Sequence, residues 1–260
     1  MIMDELIFLG TGGGRYTTLF QTRSTGGLIF KTCNHQIHID PGPGALLRCK
    51  ECKIYPFKTD VIMATHNHLD HINDLNIMVE AMTKAGTEKK GTLITHNSVV
   101  EERGISNYHK KLLNSLVVLE PEQNTSINGL RIQATRCNHS KLGCIGFKFY
   151  TPNYCLYYTG DTLVYSGFEK SLEDVDILVA NVSIPSGINN SIHMNSDDLV
   201  SVIKNSNNKI KLIIITHFGT EMLRANPIQE AKMIMEKTGI NTIAASDGLI
   251  VKLRDTIKCN

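Results

Sequence analysis

The densest potential chemistry in the chain lies in six consecutive residues: His66, Asn67, His68, Leu69, Asp70 and His71. Imidazole and carboxylate groups are the ligands that zinc and similar divalent ions take in proteins. Residues two apart share one face of an extended segment, so His66 and His68 can point to one ion. Asp70 and His71 can face a second ion. A polar, solvated loop and a purely structural zinc site are the alternatives, but four such donors in six residues favour a metal centre.

The flanking segments predict how this motif is held. Residues 60–65 form a mostly apolar run, which is typical of a strand buried on both faces. After the motif, Ile72, Leu75, Val79 and Met82 recur at helical spacing. The motif is therefore expected where a buried strand passes into an amphipathic helix.

Three further donors each follow a strand-like segment. His139 comes after residues 131–135, Asp161 after residues 154–159, and His217 after the apolar run 211–216. Ligands in open α/β sheets gather at the carboxyl ends of strands, so these side chains are expected to meet at one edge. A single histidine after a strand is often an ordinary loop residue, but its recurrence at several strand ends argues against that interpretation.

The other motifs in the sequence give weaker indications of function. The glycine-rich segment 10–14 is interpreted as a tight turn, because Arg15 breaks the dinucleotide fingerprint and no helix pattern follows. Strands are expected at 25–30 and 36–40, joined by a turn at Cys33 and Asn34. The pair Cys49 and Cys52 has no second pair at matching spacing, which leaves a metal role there open but disfavoured. His96 and His109 are interpreted as surface residues.

Composition indicates a folded chain with a full core. The 260 residues are 42% hydrophobic and carry a formal net charge of +2, which gives no indication of a polyanion-coating protein. Alternating strand and helix patterns run throughout without a linker or repeat, so residues 1–260 are expected to form a single domain. Seven scattered cysteines favour reduced thiols and a cytoplasmic protein. Neither a signal peptide nor a membrane span is expected, because the first residues include Asp4 and Glu5 and no apolar stretch is long enough.

Together, HxHxDH at 66–71, the lone His139, GDT at 160–162 and THFG at 216–219 resemble the metallo-β-lactamase superfamily of hydrolases. The resemblance extends over most of the chain, to Asp247. It implies an α/β fold, an αββα four-layer sandwich, with two divalent ions in the cleft at the sheet edges. By this resemblance His66, His68 and His139 bind one ion, Asp70, His71 and His217 bind the second, and Asp161 bridges both. Zinc is the expected metal, with manganese or iron as alternatives.

Within the superfamily, His193 and the stretch 138–142 resemble the phosphodiesterase branch, which includes ribonuclease Z and a cyclic ribose-phosphate phosphodiesterase. His193 would contact the phosphate or protonate the leaving oxygen, although a plain helix-entry role is the alternative. Asp70 is also a candidate for orienting the nucleophile, and Asp40 for orienting a metal-bound histidine. Only a short hairpin separates His139 from Asp161, which leaves no room for a transfer-RNA-binding arm.

These features predict a binuclear metal-dependent hydrolase that cleaves a small cyclic or nucleotide-like phosphodiester by means of a metal-bridging hydroxide. Transfer RNA and membranes are not expected as partners, and a homodimer is left open. The alternatives are a lactonase or thioesterase of the same fold, a ribonuclease Z-like endonuclease, or a metal-containing binding protein without turnover. The sequence leaves the substrate and the native metal undecided.

Overall fold

A computed structural model describes residues 4–189 and 191–253. In the order of the chain, the strands are β1 Glu5–Phe8, β2 Leu28–Thr32, β3 His35–Ile39, β4 Val61–Ala64, β5 Thr92–Thr95, β6 Ser115–Val118, β7 Asn124–Ile127, β8 Leu130–Arg136, β9 Ile145–Tyr150, β10 Cys155–Tyr158, β11 Ile177–Asn181, β12 Leu212–Thr216, β13 Asn241–Ala244 and β14 Ile250–Lys252. The α-helices are α1 Arg15–Phe20, α2 Ala45–Glu51, α3 Leu69–Ile72, α4 Leu75–Met82, α5 Asn97–Glu101, α6 Asn107–Leu112, α7 Ser196–Asn205, α8 Thr220–Ala225 and α9 Pro227–Thr238. Short 3₁₀ helices cover Pro56–Lys58 and Phe168–Leu172.

The strands form two sheets of seven. The first sheet has the order β14-β1-β2-β3-β4-β5-β6, and the second has the order β13-β12-β11-β10-β9-β8-β7. Strands β3 to β6 run parallel, as do β10 to β13, and the remaining pairs are antiparallel. Because β9 is antiparallel to both β8 and β10, strands β8, β10, β11 and β12 all end at the same edge of the second sheet.

Alternation along the central strands explains the layering. In β4, Val61 and Met63 pack into the core between the two sheets, whereas Ile62 and Ala64 pack against the helices outside the first sheet. In β12, the sheet-facing set includes Ile214, and its neighbours pack against the helices of the second sheet. Strands buried on both faces have continuous apolar runs. The result is the αββα four-layer sandwich that the family resemblance implies, and the α/β fold class is confirmed.

Two helix predictions were wrong in detail. The expected single helix from Ile72 to Met82 is divided into α3 and α4, because the backbone N–H of Asp74 donates to the carbonyl of Pro41 at 3.0 Å instead of continuing the helix. A helix, α1, follows Gly14 where none was expected. At six residues it is too short for helical periodicity to be recognised in the sequence, and only Thr17 is buried.

The turn expected at Cys33 and Asn34 is present in the structure. Cys33 and Asn34 both have left-handed backbones (φ 48° and 67°) and form the turn between β2 and β3. Asn195 caps α7 in a capping box with Asp198. In the described part of the chain, no helix combines the length and apolar character that a bilayer crossing requires.

Candidate metal centre

The structure brings all seven predicted metal ligands into one cluster at the carboxyl ends of the strands. Side-chain donor atoms lie within 4.8 Å of one another in overlapping groups that include His66, His68 and His139, then His66, His71 and Asp161, then Asp70, His71 and His217. The first sheet supplies the donors of the 66–71 motif, and the second supplies the other three. The arrangement has the composition of the two ligand sets expected from the sequence, but metal binding by these residues stays a prediction.

In the first group, hydrogen bonds determine where the imidazole protons are. The hydroxyl of Thr65 donates to Asp40 Oδ2 at 3.0 Å, so Thr65 Oγ1 accepts from His66 Nδ1 at 2.9 Å. His139 Nδ1 donates to the carbonyl of Ile192 at 2.9 Å. Neutral imidazole has one N–H, so the Nε2 atoms of His66 and His139 both carry lone pairs into the cluster.

These two lone pairs face a third nitrogen. His68 Nδ1 lies 2.9 Å from His66 Nε2 and 3.1 Å from His139 Nε2. Three ring nitrogens therefore converge with at most one proton among them in their neutral forms. Burial, and then the neighbouring imidazole of His71, hold the pKa of His66 well below its usual range. Protonation of His66 therefore does not supply the hydrogen bond that these close nitrogen atoms lack. A divalent cation fits this donor set, since neutral imidazole nitrogen is a zinc ligand.

The second group combines two imidazoles with two carboxylates. His71 Nδ1 donates to Asp40 Oδ2 at 2.8 Å, which turns its Nε2 towards His217 Nε2, 3.1 Å away. Asp70 Oδ2 lies 3.4 Å from His217 Nε2 and also accepts the backbone N–H of Gly14 at 3.0 Å. This mixture of nitrogen and oxygen donors also fits a divalent ion.

Asp161 lies between the two groups. Its Oδ2 is 3.5 Å from His139 Nε2 and 3.4 Å from His71 Nε2, while its Oδ1 is 3.2 Å from His217 Nε2. Asn181 Nδ2 donates to Oδ1 at 2.8 Å and fixes the carboxylate. A buried carboxylate that reaches both donor groups has the position a bridging ligand requires.

The electrostatics of the cluster call for positive charge. Burial alone raises the pKa of Asp161, but His217 and His71 reverse this and hold it well below its usual range, and Asp70 is likewise lowered. Burial alone lowers the pKa of His71, yet Asp161, Asp40 and Asp70 together raise it well above its usual range. Buried ionised carboxylates need a compensating charge, which bound divalent ions would supply.

Asp40 lies next to the cluster and holds one of its histidines in place by a hydrogen bond. The residue is 2% exposed, and its carboxylate accepts hydrogen bonds from Thr65, from His71 and from the hydroxyl of Tyr158 at 2.9 Å. A carboxylate that orients a ligand histidine is a recurring feature of metal sites. The structure therefore places Asp40 against His71, one of the predicted ligand histidines.

Backbone strain is present beside the cluster, as it is at several turns elsewhere in the described chain. Asp40 and His217 have left-handed backbones, with φ of 52° and 63°. Gly13 permits the position of His217, because a Cβ on Gly13 would lie 2.2 Å from His217 Nδ1. Strained residues of this kind persist where the surrounding structure holds them, commonly at functional sites.

His193 joins the open side of the cluster. Its Nδ1 lies 3.6 Å from Asp161 Oδ2, and its ring centroid is 4.7 Å from that of His139. Burial lowers the pKa of His193 to about 4, although Asp161 opposes the shift. The ring lines a cleft of about 500 Å³, together with Arg15, Thr18, Asp70 and Asp161. His193 is thus placed to reach a ligand in that cleft.

Sequence reasoning missed two residues that position the donors. Asn181 holds Asp161, and Ser183 lies 2.8 Å from His217 Nδ1, leaving His217 Nε2 towards the cluster. The signal was present for Asn181, because it ends a buried strand as the donors do.

The surface interpretation of His96 was wrong. Its side chain is buried and caps α5, where Nδ1 accepts the backbone N–H of Ser98 at 3.1 Å. His109 is half-buried, with Nε2 3.4 Å from Glu80. Burial, and then Cys52, raise the pKa of the Cys49 thiol to about 12, and no cysteine joins the groups of close donors in the described part of the chain.

Comparison with known proteins adds independent information. Residues 35–218 match the family model described as a beta-lactamase superfamily domain. An uncharacterized protein of Methanocaldococcus jannaschii is 37% identical over 254 residues, which cover 96% of this chain and 95% of that protein. Ribonuclease Z of Clostridium novyi is 30% identical over 163 residues, which cover 56% of this chain and 50% of the relative.

Solved structures agree on the architecture. The metallo-beta-lactamase fold protein YhfI of Bacillus subtilis matches with a TM-score of 0.81 at 18% identity, over 96% of this chain and 99% of its own. A diphosphatase from the PhnP family matches with a TM-score of 0.70 at 17% identity, over 96% and 98% of the two chains. At such identities the likeness shows the fold.

Proposed function

Since this chain belongs to the beta-lactamase superfamily, we propose that it is a divalent-metal-dependent phosphodiesterase acting on a small cyclic or nucleotide-like phosphodiester. The observation that carries the proposal is His193, which stands in the cleft beside Asp161 and can donate a hydrogen bond to a substrate oxygen. The names of two similar proteins, a ribonuclease and a diphosphatase, describe phosphate chemistry and support the same class.

The proposed metal ligands are the seven residues His66, His68, Asp70, His71, His139, Asp161 and His217. Two divalent ions, with zinc expected before manganese or iron, would supply Lewis acidity that acidifies water near neutral pH and offsets charge on a phosphoryl oxygen. The surrounding residues hold these donors in register: Asp40 orients His71, Asn181 orients Asp161, and Ser183 orients His217.

Two side chains on the open side fit an anionic substrate. Arg15 lines the cleft, and no ion pair joins it to a carboxylate within residues 4–189 and 191–253. Its guanidinium can bind phosphate oxygens in a bidentate manner. His193 is held neutral by burial, but an arriving phosphate anion favours its protonated form, so the substrate itself promotes the state that can donate a proton. A lactone or a thioester reacts at an uncharged carbonyl group, so its ground state does not bring an anion to these side chains at the reacting centre.

A small substrate is favoured over transfer RNA. Between His139 and Asp161 the chain forms the β9–β10 hairpin, with four-residue pairing from Cys155 to Tyr158. The formal net charge of +2 over the whole chain gives no broad footprint for a large polyanion. Turnover of small phosphodiesters without cleavage of precursor transfer RNA is the expected outcome, and efficient release of a transfer-RNA trailer would overturn it.

The test is a panel of substrates offered to metal-loaded protein: bis(p-nitrophenyl) phosphate, a phosphodiester with a poor leaving group, lactones and thioesters. His193→Ala should keep its metals and lose roughly a hundred- to ten-thousand-fold in rate on the poor leaving group if His193 is a general acid. The loss should be smaller with p-nitrophenolate, which leaves without a proton. Similar losses on both phosphodiesters would instead indicate a phosphate-binding role.

His109→Ala is the matched control, because His109 is a half-buried histidine outside the cluster. If His193→Ala hydrolyses both phosphodiesters at the rates of this control, His193 has no role in the reaction and is only a residue near the start of a helix. The proposal would then fail in favour of a lactonase or thioesterase, as it would if lactones or thioesters were the better substrates.

A further inference from the structure

A second cleft lies at the opposite edge of the first sheet. Strand β3 begins at His35, and the cleft is built around this amino-terminal end, whereas the metal ligands follow the carboxyl ends of the strands. It encloses about 700 Å³ between the β2–β3 hairpin, the turn after α2 and the segment before β5. Small-molecule sites commonly have volumes of roughly 300–1,000 Å³.

The lining is basic. Lys31, Lys53, Lys58 and Lys90 all border the cleft, and none of its lining residues among those the structure describes is acidic. Lys31 forms an ion pair with Glu5, with 3.4 Å between Nζ and Oε2. Lys53 and Lys58 form no ion pair within the described ranges, so their ammonium groups are available to an anion. Lysine is a common phosphate ligand in proteins.

Two aromatic rings lie at the mouth of the same cleft. Tyr55 and Phe57 are 55% and 44% exposed, and their ring centroids are 5.5 Å apart. The ammonium of Lys58 lies 5.4 Å from the centroid of Tyr55. Gln36 Nε2 donates to the carbonyl of Tyr55 at 3.1 Å and holds the turn in place. Exposed aromatic rings beside lysines are the elements on which nucleic-acid bases stack while their phosphates are neutralised.

His35 adds an unmatched polar atom to the lining. Its side chain is only 3% exposed, and Nδ1 is paired with the carboxylate of Asp60. Nε2 is buried and has no hydrogen-bond partner in the described part of the chain. Buried polar atoms are nearly always paired, so this nitrogen, in a residue that lines the cleft, has a hydrogen-bonding position to spare. With Nδ1 donating to Asp60, the neutral ring offers Nε2 as an acceptor for a hydroxyl or an amino group.

From the lysines, the two rings and the buried His35 nitrogen together, we propose that this cleft binds a nucleotide unit. The base stacks on Tyr55, the phosphate is held by Lys53 and Lys58, and a ribose hydroxyl or base amino group donates to His35. The site is separate from the metal centre and does not depend on the proposed phosphodiesterase activity. An anionic membrane surface would also suit the lysines and the aromatic rings, but a concave cleft of about 700 Å³ fits a nucleotide-sized ligand better than a bilayer surface.

Isothermal titration calorimetry on the metal-loaded full chain tests the proposal. Adenosine 5′-monophosphate and pentaadenylate are the two nucleotide probes, and they distinguish a free nucleotide from an RNA strand as the source of the unit. Saturable binding of either probe is the expected result, with adenosine and inorganic phosphate each binding more weakly because they supply only half of the contacts. Binding of neither probe at millimolar concentration would overturn the proposal, as would binding to phosphatidylserine vesicles alone.

Variants assign the binding to this cleft. Tyr55→Ala should raise the Kd about fivefold or more, the lower end of what a stacked base contributes, and Lys58→Glu should raise it further. Tyr108→Ala is the matched control, because Tyr108 is also 55% exposed but lies on α6, away from the cleft. Tyr55→Ala should hydrolyse bis(p-nitrophenyl) phosphate at the parent rate. If instead His193→Ala abolishes nucleotide binding and Tyr55→Ala does not, the nucleotide occupies the metal cleft and the proposal is wrong.

Discussion

Asp40→Asn should weaken metal binding although Asp40 touches no ion in the proposed site. Asp40 Oδ2 accepts from His71 Nδ1 at 2.8 Å, from Thr65 Oγ1 at 3.0 Å and from the Tyr158 hydroxyl at 2.9 Å. Burial, and then the charge of Asp40, raise the pKa of Tyr158 well above its usual range, so its hydroxyl keeps its proton and donates. Asparagine would present an N–H₂ group, or a single uncharged oxygen, to these three donors.

The magnitude follows from His71. Loss of the carboxylate removes the partner that fixes its tautomer and turns Nε2 towards the cluster, and such changes typically cost about 10- to 100-fold in metal affinity. This corresponds to about 1.4–2.7 kcal/mol of binding free energy. Each buried donor left without an acceptor also lowers the free energy of unfolding by about 1–3 kcal/mol. The backbone should be unaffected, because asparagine tolerates the φ of 52° at this position.

The assay is competition for zinc with a chromophoric chelator at pH 7.5, with folding monitored by circular dichroism. Asp74→Asn is the control, since Asp74 is a nearby carboxylate that accepts only from Leu46 and Asn73 among the hydrogen bonds of the described residues. If a folded Asp40→Asn protein bound zinc within twofold of the parent and the control, the argument that Asp40 orients a ligand would be refuted.

Three further outcomes are expected. Asp161→Asn should lose at least one of two bound ions by elemental analysis, and retention of both would remove Asp161 from the site. Gly13→Ala should also lose metal, because its Cβ would lie 2.2 Å from His217 Nδ1; unchanged metal content would contradict the close packing. His38 is buried with a pKa lowered from 6.5 to about 4, by burial first. Folding therefore favours the neutral form of His38. Above pH 6.5 its imidazole is neutral in both the folded and the unfolded chain, so its titration does not change stability. From pH 6.5 down to 4 only the unfolded chain gains the proton, so the free energy of unfolding falls by about 1.4 kcal/mol per pH unit. In urea unfolding at pH 7 and pH 5, His38→Gln should lose that part of the pH dependence, and an unchanged slope would count against it.

The sequence was most informative where chemistry and strand ends coincide. His66, Asp161 and His217 could be located because each follows an apolar run that is buried on both faces, and parallel strands deliver their ends to one edge. His139 follows an alternating strand of the same direction, β8, and joins them for the same reason.

Most features that could not be predicted from the sequence depend on contacts between residues far apart in the chain. The helix α1 was missed although Tyr16, Leu19 and Phe20 stand at helical spacing, because six residues are too few to distinguish a periodic pattern from chance. His96 resembles a surface histidine in sequence, and its burial follows from the approach of Gly143, whose Cβ would lie 2.2 Å from the ring. Ser183 orients His217 from 34 positions away, which no local pattern indicates.

The glycine turn beside the candidate metal centre depends on a contact with a residue that is synthesised much later. Its Thr11 donates through both N and Oγ1 to Asp247, at 2.9 and 2.7 Å, across 236 residues of chain. At a translation rate of about 5–20 residues per second, roughly 10 to 50 seconds separate the synthesis of these two residues. Until Asp247 has left the ribosome, the turn that supports Asp70 and accommodates His217 lacks this brace. The proposed metal ligands beside this turn therefore gain their full support only after Asp247 has emerged, so we expect the complete site to form after that point in synthesis.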